Sequence, residues 1–233
     1  MLKLIICGIN GEMGTNVYTN ALKMGHEVTC GIDKITVKNI DCPVYTELEQ
    51  AHHFTNVIVD FSSPSITNDL LNYAITNSVP VVIGTTGHTK TQEEQITNAS
   101  KIIPIFKSAN TSLGVYSFIK ICKLAYQTLM GFDVEIIEKH HKKKKDSPSG
   151  TANLIKNSML SNVDSCNKQN IPIHSIRGGT IIGEHNVLFF GNGESISLTH
   201  TAESKHLFAR GALKACEFIV SKQNGLYSME DLV

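Results

Sequence analysis

Apolar residues in the first 110 positions come in short unbroken runs, each followed by apolar residues at helical spacing. Leu2–Cys7 leads through glycines to Val17, Ala21, Leu22 and Met24. Val28–Ile32 is the next run and ends at Asp33. Val57–Phe61 is closed by Ser62-Ser63-Pro64 and followed by Ile66, Leu70, Leu71 and Ala74; Val81–Ile83 ends in Gly84-Thr85-Thr86-Gly87, and Ile102–Phe106 is the fifth run. Strands without polar alternation are buried on both faces, so this alternation predicts a parallel sheet with helices on each side.

The pattern changes after Asn110. Val115, Phe118, Ile119, Cys122, Ala125 and Leu129 mark one face of a long helix. Val134, Ile136 and Glu138 then alternate with Glu135 and Ile137, and Ile171–Ile176 and Asn186–Phe190 continue as strands. Phe190-Gly191-Asn192-Gly193 leads into Ile196, Leu198 and Thr199 as a hairpin. Phe208–Val220 reads as a closing helix that returns to the first domain. The expected class is α/β: a Rossmann-type parallel-sheet domain over 1–111 and 209–233, and a smaller α+β domain with a mixed or antiparallel sheet over 112–208.

Composition narrows the functional classes. Lys+Arg and Asp+Glu are 21 each in 233 residues, so no net field draws the chain to nucleic acid or to a membrane. None of the six cysteines (Cys7, Cys30, Cys42, Cys122, Cys166, Cys216) forms a C-x-x-C pair, and no metal site is expected. Cys7, Cys30 and Cys122 lie in apolar runs and are expected to be buried thiols. No stretch reaches the ~20 apolar residues of a membrane span, and the leading Leu2–Ile6 run is too short for a signal-peptide core. A cytoplasmic protein with reduced thiols is expected.

Gly8-Ile9-Asn10-Gly11-Glu12-Met13-Gly14 joins the first strand to the first helix. Glycines there let backbone amides approach a pyrophosphate, and the helix start adds partial positive charge. Asp33 stands roughly 20 residues on, where an acid accepts ribose hydroxyls. The neighbouring Lys34 is either a solvated lysine or a partner for a 2′-phosphate, so NADH and NADPH both remain open. Gly84-Thr85-Thr86-Gly87, at the carboxyl end of a strand, leaves room for a nicotinamide ring.

Glu138-Lys139-His140-His141-Lys142-Lys143-Lys144-Lys145-Asp146-Ser147-Pro148-Ser149-Gly150-Thr151 combines two histidines, five lysines and a helix start. Lysine charge, together with the amides of Gly150 and Thr151, suits the carboxylates of a small dicarboxylate substrate. An imidazolium supplies a proton as hydride arrives.

Gly8-x-x-Gly11-x-Met13-Gly14, Val59-Asp60-Phe61-Ser62, Gly84-Thr85-Thr86-Gly87, Ser108-Ala109-Asn110, Glu138-x-His140-His141-x-x-Lys144-x-Asp146-x-Pro148-Ser149-Gly150-Thr151-Ala152, Gly183-Glu184-His185 and Phe208-Ala209-Arg210-Gly211-Ala212 together resemble the dihydrodipicolinate reductases. The resemblance covers nearly the whole chain. It implies NAD(P)H-dependent reduction of 4-hydroxy-tetrahydrodipicolinate to tetrahydrodipicolinate, with loss of water, in diaminopimelate and lysine biosynthesis. It also implies a homotetramer joined through the substrate domain. By this likeness His140 is the proton donor/acceptor and Lys144 the second proton donor. His141, Gly150 and Thr151 bind the substrate. Gly8, Ile9, Asn10, Gly11, Glu12, Met13, Asp33, Lys34, Gly84, Thr85, Thr86, Ser108, Ala109, Asn110 and Thr111 line the cofactor. Glu12 stands where relatives often carry Arg, and Thr111 where Phe is common. The rival readings are another short nicotinamide enzyme, such as an aspartate dehydrogenase-like reductase, and a nucleotide-sensing domain whose lysines hold nucleic acid. The first has no use for the His-His…Lys…Ser-Gly-Thr cluster, and the second lacks aromatics between its lysines.

Overall fold

The computed structural model describes residues 1–35, 40–52, 54–161 and 170–233; Cys166 lies outside the described residues. Two compact units are present, Met1–Leu113 with Lys205–Val233, and Gly114–Ser204.

The first unit is built on seven parallel strands: β1 (Lys3–Cys7), β2 (Glu27–Ile32), β3 (Val44–Tyr45), β4 (Val57–Asp60), β5 (Val81–Ile83), β6 (Pro104–Lys107) and, from the end of the chain, β11 (Gly225–Tyr227). Their order is β11-β6-β5-β4-β1-β2-β3. The sheet therefore grows one way from β1 to β3 and the other way from β4 onward, and the crevice between the carboxyl ends of β1 and β4 is the switch point where such sheets take ligands. Helices α1 (Glu12–Lys23), α2 (Thr67–Asn77), α3 (Lys90–Ala99), α6 (His206–Ile219) and the short α7 (Met229–Leu232) complete the unit.

On one face, Ile5, Cys7, Ile58, Val81, Ile83 and Ile105 form a core with Leu70, Leu71 and Ala74 of α2 and Ile96 of α3. On the other, α1 packs against α6, with Val17, Ala21, Ala209, Ala212, Leu213 and Cys216 all fully buried. Full burial of an Ile or Leu contributes roughly 1.5–3 kcal/mol, which is why unbroken apolar runs fold here. Two strands escape this signal. β3 and β11 are two and three residues long, too short to show a period. β6 also starts later than the apolar run predicts. Ile102 and Ile103 donate their amides to the carbonyl of Ala99, so they extend the end of α3, and Ile102 is 56% exposed.

The second unit holds a four-stranded sheet of order β10-β9-β7-β8, made of β7 (Asp133–His140), β8 (Ile173–Arg177), β9 (Gly183–Gly191) and β10 (Glu194–Ala202), with helices α4 (Leu113–Thr128) and α5 (Gly150–Leu160). β7 runs parallel to β8 and antiparallel to β9, and β9–β10 is the expected hairpin, turning at Asn192-Gly193. Val134, Ile136, Val187 and Phe189 face Phe118, Ile119 and Cys122 of α4 and Ala152, Ile155 and Met159 of α5. The period of two puts Glu138 and His140 on this same covered side. Glu135, Ile137 and Lys139 lie on the other side and are only partly buried. No helix of the described residues is long and apolar enough to cross a membrane.

Candidate active site

The residues singled out in the first unit gather at the carboxyl ends of β1, β2, β5 and β6. Gly8 follows β1 with φ +76°, and a Cβ on it would lie 2.5 Å from the carbonyl oxygen of Phe61. Glycine alone tolerates both conditions. Gly14, in the first turn of α1, presses on the same loop: a Cβ there would sit 2.0 Å from the Gly8 carbonyl oxygen. Gly11 caps α1 without a side-chain hydrogen bond, so the helix start presents its amides to the loop.

The carboxylate of Asp33 accepts from the backbone amides of Asn10 and Lys34, each at 2.8 Å, which sets it beside the glycine loop. Asn10 Nδ2 donates to the Ile35 carbonyl, and Asn10 Oδ1 is buried with no partner among the described residues. A cradle of glycines, helix-start amides and a fixed acid is the donor set that a dinucleotide's pyrophosphate and ribose require, so the residues present fit that group. Ile9 is fully buried and contributes backbone only. Glu12 pairs at 2.7 Å with Lys205, both on the surface. Lys34 is exposed.

Gly84 lies under the ring of Phe61, which stands 2.2 Å from where a Cβ would be. Asp60, 1% exposed, accepts from the amide and hydroxyl of Ser62 and from the Thr85 hydroxyl. Burial pushes its carboxyl up, and those bonds oppose the shift. Asp60 thus ties the ends of β4 and β5 together. After β6, the Ser108 hydroxyl donates to the Asn110 carbonyl, and the Asn110 side chain accepts from Ser112. The Thr111 hydroxyl turns to the Phe208 carbonyl at 2.7 Å, so Thr111 offers this loop its backbone, and its side chain anchors the loop to α6.

Gly14→Ala tests the close approach. Ala favours a helix over Gly by up to about 1 kcal/mol, whereas forcing a methyl into an occupied space costs about 1–3 kcal/mol. Thermal unfolding is expected to show a net loss of stability, and titration a weakened affinity for dinucleotide. A more stable variant with unchanged affinity would contradict the geometry.

In the second unit, His140 ends β7 and is 8% exposed. Its Nδ1 meets Glu138 Oε2 at 2.5 Å. Glu138 is 0% exposed; Arg177 reaches both of its oxygens, at 2.8 and 2.6 Å, and the Ser149 amide donates to Oε1 at 3.2 Å. Burial alone would raise the Glu138 carboxyl, but hydrogen bonds from Arg177, Ser175 and His140 hold it down to about 2. His140 is lowered below the usual imidazole range chiefly by burial; Glu138 opposes the shift, and the Lys144 and Arg177 cations add smaller lowering effects. His185 stands edge-on to His140, ring centres 5.4 Å apart, and its Nε2 lies 3.2 Å from the Ser149 hydroxyl. Burial, and next His140, lowers His185 to about 4.

Of the four consecutive lysines, Lys144 alone is partly buried. Its Nζ lies 2.9 Å from Asp146 Oδ1. The Asp146 carboxylate, kept below its ordinary value first by Lys144, also accepts from the Gly150 amide. Thr151 follows in the first turn of α5, and His141 is half-buried at the loop's start. Sequence reasoning gave no role to Glu138, Ser149 or His185, though each sits inside a quoted motif. Arg177 was missed altogether, since only the β7–β8 register brings it beside His140.

Family models described as "Dihydrodipicolinate reductase, N-terminus" and "Dihydrodipicolinate reductase, C-terminus" match residues 2–111 and 114–233. A 4-hydroxy-tetrahydrodipicolinate reductase of Caldanaerobacter subterraneus subsp. tengcongensis is 42% identical, over 100% of this chain and 98% of the relative. One of Clostridium novyi is 40% identical with the same coverage. Among solved structures, a dipicolinate-bound dihydrodipicolinate reductase from Paenisporosarcina sp. TG-14 superposes with TM-score 0.83 at 24% identity, covering 100% of both chains, a likeness of fold.

Proposed function

The chain belongs to the dihydrodipicolinate reductase family, and from that premise we propose that it reduces 4-hydroxy-tetrahydrodipicolinate to tetrahydrodipicolinate, in diaminopimelate and lysine biosynthesis, with NADH or NADPH as the reductant. The ring gains hydride and loses hydroxide; the hydroxide takes a proton and leaves as water. The bound nicotinamide supplies the hydride.

The chain's own residues supply the rest. Amides of Gly8–Met13 at the start of α1 take the pyrophosphate. Asp33 accepts the adenosine ribose hydroxyls, with Lys34 beside it. Gly84–Thr86 and Ser108–Thr111 line the remaining length of the cofactor. In the second unit, His141, Gly150 and Thr151 take the substrate carboxylates, and Lys144 neutralises charge; the one net proton reaches the departing hydroxide through Nε2 of His140, the proton donor/acceptor, and Lys144, the second donor. The observation that carries the reading is a buried imidazole, bonded to a fully buried carboxylate, at the head of the loop that bears Lys144. We place the protein in the cytoplasm and assign it a homotetrameric assembly through the second unit, whose sheet leaves Glu135, Ile137 and Lys139 on a face its own helices do not cover.

The test is cofactor oxidation, followed by absorbance, with enzymatically generated substrate and with NADH and NADPH side by side. Substrate-dependent oxidation is expected; none with either cofactor would sink the proposal. Asp33→Ala is expected to weaken NADH by about 10- to 100-fold, the equivalent of a charged hydrogen bond of roughly 1.5–3 kcal/mol. NADPH should lose less, because its 2′-phosphate gains from removal of the neighbouring carboxylate. Calorimetric titration reads the difference, and a larger loss for NADPH would place the ribose elsewhere.

A further inference from the structure

We infer that the pair formed by the fully buried Glu138 and the part-buried Arg177 is a positioning element of the reaction: it fixes which nitrogen of His140 carries the resting proton, and it anchors both the loop that bears Lys144 and the start of α5. This rests on the reading of His140 as the proton-transfer group.

The two oxygens of Glu138 do different work. Oε2 meets His140 Nδ1, and Oε1 accepts from Ser149, the N-cap of α5. Arg177 binds both oxygens, and its NH2 also donates to the Asp146 carbonyl at 2.7 Å. One ion pair therefore reaches the imidazole, the lysine loop and the helix start together. Because the Glu138 carboxyl lies near 2, it holds no proton at neutral pH and can only accept. Nδ1 of His140 must donate, and Nε2 is left as the working nitrogen. That nitrogen faces Gly183, where a Cβ would approach it to 3.2 Å; any larger residue would crowd the atom that has to meet a substrate. The charged and titratable groups around the ring are Glu138 on its own strand, Arg177 on β8, Lys144 in the loop and His185 on β9. Stability alone does not call for such a pair, since buried ion pairs are often replaceable by apolar residues at no loss.

The experiment is nuclear magnetic resonance of the full chain labelled with isotopic histidine, where ring-nitrogen resonances separate Nδ1–H from Nε2–H; His140→Gln identifies the His140 signals. The wild-type free enzyme is expected to show Nδ1–H at His140. In Glu138→Gln the amide can present its NH2 to Nδ1, as happens when a histidine-orienting carboxylate becomes an amide. The signal is then expected to shift to Nε2–H, with kcat down on the order of 100-fold, inside the range a positioned acid–base group supplies, and KM for the reduced dinucleotide unchanged. Arg177→Lys should keep Nδ1–H and part of kcat, while Arg177→Met loses both. An Nε2–H resting form in the wild type overturns the inference even if no variant folds. So does a Glu138→Gln enzyme that keeps Nδ1–H and full kcat. An unchanged kcat in His140→Gln overturns only the reading underneath, because the tautomer is measured without turnover.

Discussion

Replacing His140 by Gln is expected to lower kcat by about 10²- to 10⁴-fold, the contribution of a positioned general acid or base, while leaving the dissociation constant of NADH or NADPH unchanged. Gln preserves a polar side chain of similar reach at the end of β7 and can still donate a hydrogen bond to Glu138 through its amide NH2, so the loop and α5 keep their anchors. It cannot move a proton at neutral pH. The cofactor residues belong to a different unit, with its own core, which is why affinity and turnover should separate. Steady-state rates set beside a direct cofactor titration make the check. If kcat survives, the imidazole carries no proton.

The pH profile of the wild type bears on the same atom. In the free protein, burial and the Lys144 and Arg177 cations hold His140 below its ordinary range, so the neutral ring predominates at pH 7. A dicarboxylate beside Lys144 adds negative charge, which favours the imidazolium and raises its pKa. As a general acid the rate follows the protonated form. The fall of kcat/KM with rising pH therefore reports the lowered free-enzyme value, and the fall of kcat should lie at higher pH, because it reports the complex. Coincident limbs would mean that substrate charge does not reach the ring.

Much of this was legible in the sequence, for physical reasons that also mark where legibility stops. Long apolar runs announce β1, β2, β4 and β5 because both faces of those strands are covered. β3 and β11 add hydrogen bonds at the sheet's edges with too few side chains to form a pattern. Likewise, side-chain chemistry alone marked the His-His-Lys cluster, while the choice of His140 and Lys144 within it came from the family resemblance. Arg177 was not readable, because its meaning lies in pairing across strands: it is 37 positions beyond His140 in the chain, yet its neighbour in register. Asp146, four residues before Gly150, was given no role either, yet its carboxyl is held below its ordinary value first by Lys144 and to a smaller extent by the Gly150 amide. Helix starts favour any nearby anion, including the chain's own.

The Lys144–Asp146 pair bears on the lysine run. Lys144→Ala is expected to cut kcat/KM by on the order of 100-fold or more, and Lys142→Ala by less than about threefold. Lys144 is partly desolvated and held to Asp146 at 2.9 Å, so its charge acts at short range, where a charged hydrogen bond is worth roughly 1.5–3 kcal/mol, and the loss of a proton donor adds to that. Lys142 is exposed and contributes only a field, which ions screen over about 10 Å at 0.1 M salt. The two variants should also differ in salt response. Raising ionic strength should erase the small Lys142→Ala defect, because screened wild type and variant converge, and it should leave most of the Lys144→Ala defect in place. Equal losses from the two substitutions, both vanishing in salt, would show that the run works as a diffuse positive patch and that no single ammonium group is placed against the reacting ring.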